Sequence, residues 1–400
     1  MLEGYLIAIV IGNLFFIRYW YLKHNQIINL GSFFNILSIL YFGLGIYLYH
    51  IIQLKTLNNE LEIVARFSMY AVLAYNFGYY LVSRFRQVDV NQKFVSLPSN
   101  KILISIVCMA VVTQLYMVLK VGLVDFFLMN RTERFNYFSN NTYLLYVSTF
   151  LYLAYIDYAI RGLYFESKKY KRYFKYLFIY LLVWGIATIS RNDLLIVFLT
   201  IMYILERKEK LNTKKIVLYS ISLLAGLFVF KGLMYGAVLN NSSQEGLNFG
   251  ELINWVRNSV MIINNSNTSY NHFSYWITIK GLLTPFINES EPLSNWFMET
   301  YYPKAYANGN KYGFSGVIEG YMMGGGVFTF LHFFITGILL AIFSFGKSWI
   351  HMFLTIMSML ILYKLFRSES YNFYRQLFWY GLYPMLLIKY LSKILSFIKS

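Results

Sequence analysis

Four arginines stand beside long apolar runs, in the stretches “ATISRNDLL”, “NWVRNSV”, “LFRSES” and “NFYRQLF”: Arg191, Arg257, Arg367 and Arg375. A guanidinium stays charged, is weakly hydrated, and presents a planar fork of donors that matches phosphate oxygens. Several of them at one head-group level would bind a pyrophosphate and stabilise it as a leaving group. The plainer reading is that each snorkels to lipid head groups or pairs with a local carboxylate such as Asp193 or Glu369. Arg191 suits the plainer reading least, because it sits in a gap of a few residues between two apolar runs.

A candidate for acid–base work is Glu319, in “GFSGVIEGYMMGGGVFTFLHFFITGILL”. A carboxylate at the edge of a membrane segment is costly, and partial burial suits it to act as a general base. Its structural alternative is a helix-start carboxylate that offsets the dipole and pairs with an outer arginine. The glycines that follow, Gly320 and Gly324 to Gly326, suit close helix approach or a kink. They are not a nucleotide loop, since the strand, lysine and helix context is missing. His272, Glu289 and Glu291 are alternative acid–base candidates, although a lone histidine on a long loop is more often a surface residue. The chain has only four aspartates (Asp89, Asp125, Asp157 and Asp193) and no Asp-x-Asp pair. That argues against metal-bridged nucleotide-sugar chemistry, and no histidine–carboxylate cluster has metal spacing. No metal and no cofactor is expected.

The elements that must position these groups are membrane helices. The 400 residues are 58% hydrophobic and 13% charged, against about 25% charged in a soluble domain. Apolar stretches of about 20 residues, the length that crosses a hydrocarbon core, recur from end to end. The expected fold is all-α: a polytopic bundle of about eleven spans, at 2–22, 28–52, 63–83, 101–120, 143–163, 174–189, 193–206, 215–234, 316–345, 347–366 and 376–397. The first run lacks the basic start and small-residue site of a signal peptide and reads as a retained helix. The single cysteine, Cys108, lies within an apolar run, so no disulfide framework is expected.

Loop charge sets the expected orientation. Lysine and arginine crowd the loop at 84–101, “ESKKYKRYFK” and “RKEKLNTKK”, and are sparse in the loops between. Placing the rich loops in the cytoplasm puts the N-terminus outside and the C-terminus inside. It also puts nearly all of the +17 net charge on the inner side. Topology thus explains the basicity, and nucleic-acid binding is not needed. The outer face then carries one large loop at 235–315 within a single membrane domain at 1–400. In it, “ELINWVRNSVMII” puts Leu252, Ile253, Val256, Val260 and Ile263 on one stripe. That pattern is an amphipathic helix lying on the bilayer or on the bundle. “HFSYWITIKGLLTPF” is a second apolar stretch, and “VDFFLMNRTERFNYFSNN” reads as another interfacial helix.

This layout resembles the Wzy-type O-antigen or oligosaccharide repeat-unit polymerases. The resemblance rests on a short span pair broken by an arginine (“WGIATISRNDLLIVFLTIMYIL”), the large outer loop, the glycine–glutamate–aromatic–glycine helix start around Glu319, and “LFRSESYNFYRQLFWYG” before the last span. It implies a membrane glycosyltransferase of the bacterial inner membrane. Such an enzyme moves a growing glycan from undecaprenyl pyrophosphate to another lipid-linked repeat unit, on the outer face. Arg191, Arg257, Arg367 and Arg375 would hold the pyrophosphate, and Glu319 or His272 would deprotonate the acceptor hydroxyl. Expected partners are lipid-linked glycans, membrane lipids and a chain-length regulator. Family members often carry a basic residue beside a proline late in the outer loop; here “NESEPLSNW” has Glu291 before Pro292. An O-antigen ligase and a lipid-linked oligosaccharide flippase are the alternatives, although a flippase would usually show repeated bundles and mid-membrane polar sites.

Overall fold

The computed structural model describes residues 1–52, 58–85, 99–129, 141–188, 190–216, 250–265, 293–307, 313–346 and 348–397, with a few isolated positions between them. Among the described residues every regular element is a helix. Helix α1 (Leu2–His24) ends on Asn25 at φ 51°, a left-handed cap that asparagine tolerates. The side chain of Asn29 accepts from Ser32 N–H and so starts α2 (Leu30–Ile52), which widens into a π-helical stretch at Ile39–Gly45. Next come α3 (Asn58–Phe85), α4 (Asn100–Val121), the short α5 (Leu123–Leu128), and α6 (Thr142–Ala159) with a π turn at its end. Helices α7 (Lys168–Ala187) and α8 (Arg191–Arg207) form a tight hairpin. Then follow α9 (Gly250–Asn264), α10 (Leu293–Tyr301), α11 (Gly316–Gly324), α12 (Gly326–Ser344) and α13 (Trp349–Leu362). A single turn, α14 (Lys364–Arg367), leads to α15 (Ser370–Gln376) and, through a π segment, to α16 (Tyr383–Phe397).

Among the described residues five stretches are long and apolar enough to cross a membrane: Leu2–His24, Leu30–Ile52, Asn100–Val121, Gly326–Ser344 and Trp349–Arg367. Helices also occupy the intervals expected at 63–83, 143–163, 174–189 and 193–206, while most of 215–234 lies outside the described residues. One expected helix is corrected. The run at 316–345 is two helices, because Gly324 (φ 152°) and Gly325 (φ 73°) adopt backbone conformations that L side chains rarely reach. Glu319 therefore belongs to the short α11 and not to the apolar helix that follows.

The chain forms two compact units. The first comprises 1–91, 248–347 and 361–378. Its centre is the crossing of α3 with α12, where helix backbones touch: a Cβ on Gly78 would lie 2.2 Å from Phe334 O, and one on Gly337 2.2 Å from Tyr75 O. Helices α1 and α2 pack beside them through a buried polar network. Trp20 Nε1 donates to Asn76 Oδ1 at 2.8 Å, and Asn76 and Asn35 exchange two amide hydrogen bonds of 2.9 Å. Those bonds satisfy polar groups that would otherwise be costly in an apolar interior. The amphipathic α9 lies on this bundle, with Val256, Val260 and Ile263 of its expected stripe buried and Trp255 beside them.

The second unit comprises 92–247, 348–360 and 379–400. In it α6 packs on α4, α7 and α8, and α16 lies against α4 and α6. A buried ion pair between Arg161 Nε and Asp157 Oδ2, 2.6 Å apart, closes the end of α6.

Candidate functional site

Three of the four candidate arginines and Glu319 fall in the first unit. The helical turn α14 packs against α9, α11, α15 and the π stretch of α2. This brings together the segments that carry Arg257, Arg367, Arg375 and Glu319. Gly313 permits the closest approach, since a Cβ there would meet Arg367 O at 2.5 Å. Asn258 ties the corner together: its Nδ2 donates to Gly313 O at 2.7 Å, and its Oδ1 accepts from Tyr302 OH at 3.1 Å.

Each of these arginines is partly buried beside a tyrosine ring. Arg257 Cζ is 6.0 Å from the Tyr302 centroid, Arg367 Cζ 4.9 Å from Tyr363, and Arg375 Cζ 5.8 Å from Tyr371. Such rings stabilise a cation that has lost water without neutralising its charge. Arg257 Nε is buried and makes no hydrogen bond, so a donor stands ready for an acceptor oxygen. Lys364 adds a fourth cation, three residues before Arg367. Sequence reading passed over it as the tail of the tenth apolar run. The signal was there in “YKLFR”, because an i, i+3 spacing sets both cations on one helical face.

Both carboxylates are buried and bonded to the starts of helices. Glu319 is 3% exposed, and its Oε2 accepts from Ser370 N–H, at the start of α15, at 2.7 Å. Glu369 is 1% exposed and serves the start of α10. Its Oε2 accepts from Ser294 N–H at 2.9 Å, and its Oε1 accepts from Ser294 Oγ at 2.7 Å and Asn372 Nδ2 at 3.1 Å. Both therefore satisfy helix N-termini, where unpaired N–H groups and the dipole favour negative charge. Among the described residues neither forms an ion pair, so the alternative in which Glu369 pairs with an outer arginine is not realised. Burial pushes the Glu369 carboxyl up to about 7; the Ser294 bonds pull it down, and the charge of Glu319 adds to the rise. Glu319 Oε1 makes no hydrogen bond among the described residues.

Arg191 lies in the second unit, as the first residue of α8. Ser190 caps that helix by accepting from Asp193 N–H, and Ser190 N–H donates to Gly185 O at 2.8 Å, which fixes the hairpin. Asp193 is 6% exposed, and its Oδ1 accepts from Tyr152 OH at 2.6 Å. That bond holds α6 to α8. His272, Glu289 and Glu291 lie outside the described residues. Among the described residues no three His, Cys, Asp or Glu side chains converge as metal ligands would. No family model, curated protein or solved structure matches the chain.

Proposed function

We propose that this chain is a polysaccharide polymerase of the bacterial inner membrane: a metal-independent glycosyltransferase that joins undecaprenyl-pyrophosphate-linked oligosaccharide repeat units on the outer face. The observation that carries the reading is the convergence of Arg257, Arg367 and Arg375 with the buried Glu319 in one unit. In the proposed topology about eleven spans place the N-terminus outside, the C-terminus inside, and the 235–315 region on the outer side.

In the reaction, the acceptor hydroxyl oxygen attacks the anomeric carbon of the donor glycan. The bond from that carbon to the pyrophosphate oxygen breaks, and the lipid pyrophosphate departs with the bonding electrons. Preorganised guanidinium groups stabilise that developing charge. Glu319 takes the hydroxyl proton on Oε1, since Oε2 is committed to Ser370. Arg191 is assigned to pyrophosphate binding by the resemblance of its hairpin. His272 is the alternative base. Membrane lipids and a chain-length regulator complete the expected partners.

Complementation tests this reading. Variants Arg257→Ala, Arg367→Ala and Arg191→Ala are placed in a strain lacking the gene, and the surface glycan is resolved on a gel. The expected result is loss of long chains, with single repeat units accumulating on the outer face. Trapping of repeat units on the inner face would point to a flippase, and long unattached chains to a ligase. Normal chains from a normally expressed Arg257→Ala variant would remove that arginine from the mechanism.

A further inference from the structure

Between α3 and α12 the first unit carries an apolar groove of about 310 Å³, lined by Tyr70, Gly326, Val327, Phe330 and Leu331. Gly326 keeps one end open: a Cβ there would lie 3.2 Å from the Tyr70 ring and 3.7 Å from that of Phe67, so a longer side chain would fill the space. The two helices run the same way, since Tyr70 stands beside Gly326 and Tyr75 beside Gly337. Arg66 stands at the rim, one helical turn before Tyr70. Its Cζ is 5.5 Å from the centroid of Phe67, the ring that also faces Gly326. Arg66 is exposed. Among the described residues it forms no ion pair and no hydrogen bond, although Glu62 lies four positions before it on the same helix.

From Arg66 a stripe of Tyr70, Leu73 and Phe77 follows one face of α3 at helical spacing, with Leu73 and Phe77 exposed. Val327, Leu331 and Ile335 form a second exposed stripe on α12, a helix long and apolar enough to cross a membrane. The rise along α3 from Arg66 to Phe77 is about 16 Å, roughly half of a hydrocarbon core of about 30 Å. A cation thus heads an apolar furrow as deep as one leaflet. An arginine that only snorkels to head groups needs no groove beside it. A helix, about 10 Å across, is too thick to enter 310 Å³, whereas an extended chain of methylenes is not. A phospholipid supplies both parts at once: phosphate oxygens for the forked donors and a hydrocarbon chain for the groove. One arginine suits a single phosphate, and the arginines assigned to pyrophosphate stand on other elements, Arg257 on α9, Arg367 on α14 and Arg375 on α15.

We propose that Arg66 and the α3–α12 groove bind one anionic phospholipid, with its phosphodiester on the guanidinium and one acyl chain in the groove. In the proposed topology both helices start at the outer face, which makes this a lipid of the outer leaflet. The site stands apart from glycosyl transfer, and lipid retention rather than activity reports on it.

Full-length protein in phosphatidylcholine nanodiscs is titrated with phosphatidylglycerol that carries a photoactivatable diazirine on one acyl chain, and crosslinked peptides are mapped after illumination. Label is expected first on Tyr70 and on residues 326–331. Arg66→Gln should need roughly tenfold more phosphatidylglycerol for the same labelling, the weight of one charge-assisted hydrogen bond. Val327 is 67% exposed, so Val327→Trp can cover the groove without disturbing the core and should abolish the label there. Ile335→Trp, on the same stripe but outside the groove, should leave it unchanged. Unfolding temperatures show that each variant is folded, and Leu331→Trp replaces Val327→Trp should the latter fail. Equal labelling of the groove by wild type and a folded Arg66→Gln overturns the proposal, as does label spread evenly over the apolar helices. A diazirine phosphatidylcholine that labels the groove equally well shows no selection for an anionic head and also overturns it. Displacement of the label by an equimolar polyprenyl phosphate would assign the groove to the lipid carrier instead. Crosslinks from these residues to a second copy of the chain, in place of lipid, would assign the face to protein association.

Discussion

Glu319 Oε2 accepts the backbone N–H of Ser370 at 2.7 Å, across 51 positions of chain. The same carboxylate is the proposed base, so two roles must be separated. Glutamine keeps an oxygen that can cap α15 and abolishes proton transfer. Glu319→Gln is therefore expected to unfold within about 1 kcal/mol of the wild type while building no long glycan. Glu319→Ala also leaves a buried N–H unpaired and should lose roughly 1–3 kcal/mol. Thermal unfolding of purified protein beside a glycan gel checks both. Long chains from Glu319→Gln would reduce this residue to a cap.

Gly78 and Gly337 let α3 and α12 touch backbone to backbone. A methyl at either position meets a carbonyl oxygen of the partner helix at 2.2 Å, which no side-chain rotation relieves. Gly337→Ala is expected to lower stability by about 3 kcal/mol, the upper range of ordinary overpacking. Gly12 on α1 has nothing within 4 Å of the corresponding Cβ position. Gly12→Ala should be neutral or stabilising by up to about 1 kcal/mol through helix propensity. Unfolding temperatures in detergent compare the two, and equal losses would show that the crossing is not as tight as the backbone distances require.

The helical class was legible because apolar runs of spanning length are written plainly, whereas the caps at Asn29 and Ser190 emerge only from the structure. At α11–α12 the glycines suited close approach or a kink, and the structure shows a full break into two helices at Gly324 and Gly325. Here the positions divide the work: Gly324 and Gly325 turn the chain, while a Cβ on Gly320 would strike Thr329. Arg257, Arg367, Arg375 and Glu319 stood out because charges beside membrane segments demand a reason. Their convergence on α14 depends on packing between distant segments, which spacing does not encode. For the same reason the contact of Glu369 with Ser294, 75 positions away, could not be read from spacing. Lys364 escaped notice by sitting at the end of an apolar run.

Glu369 makes stability fall as pH rises. Its ordinary value of 4.5 is raised to about 7 in the fold, chiefly by burial, so the folded state holds a proton that the unfolded state releases. The stabilisation is complete below about pH 4.5 and is lost as pH rises through about 7; it is worth on the order of 3 kcal/mol. Unfolding temperature measured across that window should decline for the wild type and decline less for Glu369→Gln. A wild-type curve that rises over the same range would reverse the sign and show the carboxylate to be the favoured form.

Asp193 follows Arg191 by two positions, yet its Oδ1 is engaged by Tyr152 OH at 2.6 Å. The carboxylate thus fastens the start of α8 to α6. Tyr152→Phe removes the donor and leaves a buried acceptor short of one partner. The expected cost is about 1–3 kcal/mol, with glycan assembly reduced in proportion to folded protein. Asp193→Ala strips both the acceptor and the buried carboxylate and should also leave Tyr152 OH without this partner. Measuring unfolding temperature for both single variants and the double variant gives their coupling, which is expected to reach about 1 kcal/mol for residues in direct contact. Additive losses would show that the 2.6 Å bond contributes nothing, and the hairpin would then owe its position to the Ser190 cap and to Gly185, where a Cβ would sit 3.1 Å from that of Asp193.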